Sequence, residues 1–540
     1  MFTRYQYQPL HLLNLLLLFC CVYTSVSYAI EPQISAGRYH NLAVNSQGDV
    51  YWWGQYQAAN YRLGSEEKAI APAQILGLSK IKAVATGMDH SLALAEDGGI
   101  FEWGFSPYVM QDFLAKNNSQ TFCKLAMQGW NDKGINPCEK ALYSKTRIQE
   151  PIRIRNIPPA IAIAGSDNQS LMISSTGDVY CWNGRTAPKK IAGLSHIKAI
   201  AMGQFHGVAL SANGDVFTWG GNVNGELGYA TSNLAKDDFT CGTATPKVAF
   251  RNALAISAGV NDSYALLADG SIWGAGREPD RWLSDPNKAF LEPRYPTNVH
   301  QFRKIITIEN TSEIAGGAQH MIAKTRTGEV YAWGFNGVGD GVLGSGTSKI
   351  ESTLSPIKVL NLKDVMIVST TWDHTLAISK EGYVCAWGQN YYGTVRPDSQ
   401  RRGILSPSPV LLSDATTPLN LYQSLALTKS LPEVVCGDSQ WRNRMTLDDV
   451  AEEKVKTDAQ RERSLVKKLG LNLRVPYYST ALIEAARSNN KAAVKSLLAS
   501  CKEDINSAER YGKTALQLAQ EAGYAEVVAL LQAVSGCNKL

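Results

Sequence analysis

Between Gly203 and Gly228 the chain reads GQFHGVALSANGDVFTWGGNVNGELG. Apolar and polar positions alternate through HGVALS, the chain turns at Asn213-Gly214, and the alternation resumes through DVFTWG. A period of two on either side of an Asn-Gly step predicts two antiparallel strands joined by a tight turn. The shape recurs along the chain. His40, His90, His206, His320 and His374 each stand thirteen residues before a tryptophan: Trp53, Trp103, Trp219, Trp333 and Trp387. Two more units keep the register with altered markers, Gln169 before Trp182 and Asp262 before Ala275. Seven hairpin units result.

Most units are preceded by a short strand that begins with proline, at Pro72, Pro151, Pro188, Pro246 and Pro356. Proline suits a strand start, where its missing N–H does not break a ladder. The first unit has no such strand before it, whereas a surplus one, PVLL at Pro409 to Leu412, follows the seventh. This mismatch predicts that PVLL pairs into the first blade and closes a ring, hiding the sheet edges that an open array would expose. The expected fold is mainly β, a seven-bladed β-propeller over residues 30–413. The repeated histidines and tryptophans then read as blade scaffolding, with aromatic bodies between blades and imidazoles bonded to backbone. A ring of metal-binding histidines fits poorly, because closure keeps equivalent positions apart and two units lack the histidine.

The units resemble the repeats of the regulator of chromosome condensation family, whose pattern combines G-x-x-H-[ST]-x-x-L, G-x-[VL]-[YF]-x-W-G and G-x-N-x-x-G-[QE]-L-G. The fourth unit follows it nearly throughout; the tails WGQYQAANYRLG and WGQNYYGTV of the first and seventh diverge. The resemblance implies a propeller that binds proteins through a face, and it admits several roles: exchange factor for the small GTPase Ran, inhibitor of a secreted enzyme, or effector of an intracellular bacterium. Family exchange factors use a wedge-like insertion after a Trp-Gly strand. Here a long insertion, 105–150, follows Trp103-Gly104. Insertions of that length in a compact domain are commonly functional. Its candidate binding residues are Tyr108, Phe113, Trp130, Lys133 and Arg147; Trp130 reads equally well as an interface anchor or as packing against the propeller.

Beyond about Arg444 the alternation gives way to helical spacing. Residues 414–470 read as a linker with a charged helix, and 471–540 as a small all-α module. TALIEAARSNNKAAVKSLL and TALQLAQEAGYAEVVALL start thirty-four residues apart and share Thr, Ala-Leu, Ala485 with Ala519, and Leu497 with Leu531. Asn489 stands where the second copy has Gly523, both tolerant of the left-handed turn between two helices. The pattern is similar to about two ankyrin repeats, which implies a protein partner.

Composition adds a compartment. Arg4 precedes an apolar run from Leu10 to Val22 and a small-x-small step at Ser27-Tyr28-Ala29, so residues 1–29 read as a cleaved export signal. An uncleaved anchor is the alternative, and a lipid anchor at Cys20 or Cys21 fits less well. In an oxidising compartment Cys123 and Cys138 are the candidate disulfide, while Cys181 and Cys385, at equivalent strand positions, read as strand packing. The net charge of +5 indicates neither nucleic acid nor an acidic membrane as partner.

No nucleophile elbow, zinc-protease motif, complete phosphate loop or dinucleotide fingerprint occurs, so no catalytic residue, cofactor or metal site is expected. The leading expectation is an exported, monomeric protein-binding scaffold, secreted or periplasmic and delivered to a host cell if the source is an intracellular bacterium. Nucleotide exchange on a Ran-like GTPase and inhibition of a secreted enzyme are the alternatives.

Overall fold

The structure, a computed structural model, describes residues 30–55, 69–104, 148–231, 241–277, 301–422, 433–440, 482–500 and 514–533, apart from one to three residues at a few points within them. Seven four-stranded antiparallel sheets follow one another along the chain. Blade 1 is β1 (Gln33–Ala36), β2 (His40–Val44), β3 (Val50–Gly54) and β4 (Ile70–Gln74). Blade 2 is β5 (Ile81–Thr86), β6 (His90–Ala95), β7 (Ile100–Gly104) and β8 (Ile148–Arg153). Blade 3 is β9 (Ala160–Ser166), β10 (Gln169–Ser174), β11 (Val179–Asn183) and β12 (Thr186–Lys190). Blade 4 is β13 (Ile197–Met202), β14 (His206–Ser211), β15 (Val216–Gly220) and β16 (Lys247–Phe250). Blade 5 is β17 (Ala255–Ala258), β18 (Asp262–Leu266), β19 (Ser271–Gly276) and β20 (Arg303–Thr307). Blade 6 is β21 (Thr311–Gly316), β22 (His320–Thr325), β23 (Val330–Phe335) and β24 (Ser352–Lys358). Blade 7 is β25 (Val365–Thr371), β26 (His374–Ser379), β27 (Val384–Gln389) and β28 (Gly403–Pro409).

The predicted hairpins are the second and third strands of each blade. In blade 4 the pair is registered His206 to Gly220 and Leu210 to Val216, and the turn between them has Gly214 at φ 85°, which a side chain would strain. An inner strand, not anticipated from the sequence, precedes each hairpin: IKAVAT, AIAIAGS and IKAIAM are examples. Small residues dominate it because seven inner strands converge on one axis. Each packs on its neighbours, and β1 packs on β25 to complete the circle. The proline strand is outermost and completes the preceding blade, so each blade uses four consecutive strands.

That order corrects the expected closure. PVLL stays with blade 7: β28 pairs with β27 through Cys385 to Pro409, and Val410 N donates to the Val384 carbonyl at 2.9 Å. Blade 1 has no vacancy for it, since β4 already pairs with β3. The circle closes instead through side chains and a strap. His374 Nε2 lies 2.9 Å from Asn41 Oδ1, and Trp53 Nε1 donates to the Thr394 carbonyl at 2.9 Å. After β28 the chain turns back. Val384 N donates to the Leu419 carbonyl, and Ser46 N of blade 1 donates to the Leu421 carbonyl at 2.9 Å. Leu419 and Leu421 are fully buried against blade 1 and blade 7 residues, so this strap covers the seam.

The core lies between blades. The second strands are buried nearly end to end, and Val208 and Leu210 of blade 4, for example, pack with Ala265 and Ala275 of blade 5. Among the described residues two disulfides cross this framework: Cys181 of β11 to Cys241 before β16, with Cα atoms 5.2 Å apart, and Cys385 of β27 to Cys436, 5.9 Å apart. The expectation that Cys181 and Cys385 serve only strand packing is therefore corrected. Both are buried, yet each meets a partner brought alongside by folding, at sequence separations of 60 and 51.

The helical part contains α1 (Lys491–Ser500), α2 (Ala515–Glu521) and α3 (Ala525–Gln532). Thr514 caps α2: its hydroxyl accepts from Gln517 N at 3.3 Å, and Gln517 Oε1 accepts from Thr514 N at 2.9 Å. Asn489 and Gly523 occupy the left-handed region at φ 53° and 72°, at equivalent turns of the two repeats. Leu482, Ala485, Val494, Ala519, Val527 and Leu531 form the core of this part.

Candidate functional site

The repeat markers are interior groups. Trp53, Trp103, Trp182, Trp219, Trp333 and Trp387 are at most 1% exposed. Three of them donate to the preceding blade: Trp53 to the Thr394 carbonyl, Trp182 to Glu102 Oε2 at 3.3 Å and Trp387 to the Val342 carbonyl at 3.1 Å. The histidines reach forward. His40 Nε2 meets Ser91 Oγ at 2.7 Å, His90 meets Ser170 at 2.9 Å, His206 the Asp262 carbonyl at 3.2 Å, and His320 meets Thr370 at 2.9 Å. Burial pushes His206 down to about 4 and His374 to about 3; for His40 and His320, also near 3, burial is joined by the neighbouring histidines. Neutral, enclosed and bonded from blade to blade, these imidazoles lock the ring. Among the described residues no group of three His, Cys, Asp or Glu could hold a metal ion. Blade 5 lacks both markers; Asp262 and Ala275 there are buried at 0% and 2% exposure.

The inner strands enclose a cavity of about 250 Å3 on the axis, lined by residues that include Ser35, Thr86, Ser166, Gln204, Ser369 and Trp372. Four of its hydroxyls are committed to holding blades together. Ser35 Oγ lies 2.9 Å from Thr86 Oγ1, Ser166 donates to the Gly203 carbonyl at 2.6 Å, and Ser369 accepts from Ala36 N at 3.0 Å.

The cavity lies toward the propeller end that carries the turns between first and second strands. The connections between third and fourth strands leave from this same loop face, because strands alternate in direction. At the seam of blades 7 and 1 it bears a cluster outside the blade cores. Tyr39 and Tyr392 meet edge to face with centroids 4.6 Å apart, and Met88 and Tyr391 pack against them. The Arg38 guanidinium stacks over Trp372 at 3.8 Å and lies 5.2 Å from the Tyr39 ring, with Nη1 donating to Met88 Sδ at 3.4 Å. Arg402 covers Tyr391 at 4.8 Å. Beneath them, burial pushes the Asp340 carboxyl up to about 7; the charge of Asp373 adds to this, while Gln389 and Arg402 oppose it. Burial above all also raises the Tyr391 phenol.

Tyr108, Phe113, Trp130, Lys133 and Arg147 lie outside the described residues, as do Cys123, Cys138 and residues 1–29. The chain departs from β7 at Gly104 and returns in β8 at Ile148, so both anchors of that insertion are on the loop face. Sequence reasoning missed the seam cluster. Its available signal was the departure of Thr371-Trp372-Asp373-His374 from the Gly-x-x-His form found in four units.

A model of the regulator of chromosome condensation (RCC1) repeat matches residues 197–226, 312–340 and 367–394, and a second RCC1-repeat model matches 327–378. The blades that these segments occupy are RCC1 repeats. An ankyrin-repeat model matches 459–539, the helical part. The chain is similar to the Ultraviolet-B receptor UVR8 of Arabidopsis thaliana, 27% identical over 369 residues, covering 67% of this chain and 66% of the receptor. It is also similar to the Regulator of chromosome condensation of Mus musculus, 24% identical over 360 residues, covering 66% of this chain and 71% of the mouse protein. Among solved structures, Prp20p from Saccharomyces cerevisiae is 20% identical, with 68% of this chain and 86% of that chain covered and a TM-score of 0.49.

The matched RCC1 repeats fall in blades 4, 6 and 7, and these share one device. An asparagine three residues after the tryptophan pins the loop that follows. Leu227 N donates to Asn222 Oδ1 at 2.9 Å, Leu343 N to Asn336 Oδ1 at 2.8 Å, and Val395 N to Asn390 Oδ1 at 3.0 Å. The scaffold thus sets the loop's path while leaving its exposed side chains free to vary.

Proposed function

We propose that this RCC1-repeat and ankyrin-repeat protein is an exported protein-binding scaffold whose propeller works through the loop face. One observation carries the reading: at the seam, half-buried Arg38, Trp372 and Tyr391 and exposed Arg402 rest on the buried pair Tyr39 and Tyr392. Trp, Tyr and Arg dominate the energetics of protein interfaces. Export is supported by the apolar segment before residue 30 and by the two buried disulfides, which persist in oxidising compartments. The ankyrin repeats supply a second surface for protein partners, and a host protein is the partner class for an effector. Affinity capture from host lysate, with the intact protein and with a quadruple Tyr39, Tyr391, Tyr392 and Trp372 alanine variant, tests this. A specific partner lost with the variant is expected. Reproducible absence of any partner, or capture indifferent to the loop face, overturns it.

A second reading, nucleotide exchange on a small GTPase, draws on the resemblance of the repeats to the regulator of chromosome condensation family and on the insertion that starts from the loop face after Gly104. Release of a fluorescent nucleotide from Ran-like GTPases decides it: acceleration supports exchange, and binding without acceleration leaves the scaffold role. Inhibition of a secreted enzyme would show as loss of that enzyme's turnover on binding.

A further inference from the structure

We infer that Arg38 and Trp372 form an anchor for an acidic side chain on a partner protein, received at the mouth of the axial cavity. The inference rests on the loop face being the working surface and adds the chemistry of what it receives.

Three observations converge. Arg38 is half-buried, and among the described residues it forms no ion pair. It stacks on Trp372 at 3.8 Å, and its polar contact is the weak acceptor Met88 Sδ. A stacked guanidinium is held in one plane, which prepares its remaining N–H groups for two parallel bonds to a carboxylate.

Trp372 itself is held against its own preference. β25 ends at Thr371 and β26 begins at His374, so Trp372-Asp373 is a two-residue turn, and Trp372 has φ 37°. Such a turn calls for Gly or Asn at this point. Trp372 is the one non-glycine residue with positive φ among the described turns between first and second strands; the others on the propeller sit elsewhere. Its backbone is fixed by Ala318 N, which donates to the Trp372 carbonyl at 2.7 Å. Strained residues of this kind persist where the surroundings over-determine them, and they gather at ligand clamps. Here the strain places a large aromatic ring on the cavity rim, beneath the cation.

The third observation is the cavity. At about 250 Å3 it lies below the size of small-molecule pockets, which run from roughly 300 to 1,000 Å3. The hydroxyls of Ser35, Thr86, Ser166 and Ser369 already bond across the blades, leaving few convergent groups to orient a free ligand. A single side chain projecting from a protein loop fits such a mouth better. Arg402, over Tyr391 in the same seam cluster, adds positive charge for an acidic loop, and the half-buried Tyr391 adds an aromatic face.

The test uses the purified full chain and fluorescein-labelled twelve-residue Gly-Ser peptides with a central Glu-Asp, Gln-Asn or Lys-Lys pair, followed by anisotropy at low salt. The acidic peptide is expected to bind at least about tenfold more tightly than the neutral one, and to lose that advantage in Arg38→Glu, with the preference moving to the Lys peptide. Trp372→Gly is expected to weaken the acidic peptide by a similar factor with Tm unchanged or raised, because glycine takes positive φ without strain. Equal binding of all three peptides, an acidic preference that survives Arg38→Glu, or displacement of the peptide by millimolar inorganic phosphate overturns the inference. A partner captured from lysate separates the two levels. If its binding survives Arg38→Glu and Trp372→Gly but is lost in the quadruple alanine variant, the loop-face scaffold stands and the acidic anchor falls.

Discussion

In blade 4 the inner strand passes to the second through Gly203-Gln204-Phe205, with Gly203 N bonded to the His206 carbonyl and no residue between them at positive φ. In blade 7 the same connection is the shorter Trp372-Asp373. The following loops show the same split. Asn222 Nδ2 donates to the Tyr229 carbonyl at 2.9 Å, and Asn390 Nδ2 to the Arg396 carbonyl at 3.0 Å, so both loops hang on one asparagine. Yet blade 4 follows its asparagine with Val223-Asn224 and blade 7 with Tyr391-Tyr392. A shared polar frame thus carries unlike rims, and recognition is written in positions that the frame leaves free.

Acid should expose the frame most strongly. His40, His320 and His374 near 3 and His206 near 4 have folded values below the unfolded one of about 6.5. The unfolded chain therefore binds more protons below pH 6.5, and stability falls as pH drops toward 4, by roughly 1 kcal/mol per pH unit for each histidine. Asp340 and Glu313, raised to about 7 chiefly by burial, act in the opposite sense: their contribution is present below the unfolded carboxylate range and is lost as pH rises through about 7. Four histidines outweigh two carboxyls, so urea unfolding should give a maximum near pH 6 to 7 and a steep acid limb. His206→Gln and His374→Gln should flatten that limb alike if the frame is shared; a flattening in one alone breaks the comparison.

Loss of Cys436 should cost about 2–4 kcal/mol in non-reducing urea titrations, the usual range for a disulfide. It releases the segment whose Val435 packs fully buried at the seam of blades 6 and 7. Cys241→Ser provides the matching test beside blade 4. Next come the pinning asparagines. Asn390→Ala should cost about 3 kcal/mol and Asn222→Ala about 2, because the first also accepts from Arg396 N and donates to the Ser399 carbonyl. Equal losses would remove the distinction between the loops. Smallest is Arg251→Ala, which removes the exposed pair with Asp215 at 2.8 Å and should change stability by less than about 1 kcal/mol.

Seven hairpins were legible because each depends on near neighbours: alternation, a glycine at positive φ and a marker pair thirteen residues apart. The inner strands escaped notice because IKAVAT and its equivalents are small, short and partly exposed to the axial cavity. The Cys181–Cys241 and Cys385–Cys436 pairings were not legible either, since spacing alone does not select partners among eight cysteines beyond residue 29. The helical part read more directly. Asn489 and Gly523 already marked the left-handed turns, to which the structure adds a capping box of Thr514 with Gln517.

The sequence by itself determined the number of blades, the hairpin turns and the interior character of the tryptophans, all consequences of local period and side-chain chemistry. Only the tertiary structure decided that each proline strand completes the blade before it, that a strap and not a borrowed strand covers the seam, and that Arg38 lies on Trp372, 334 residues away. Those outcomes depend on how seven sheets accumulate rotation around one axis until the first meets the last. No window along the chain contains that sum.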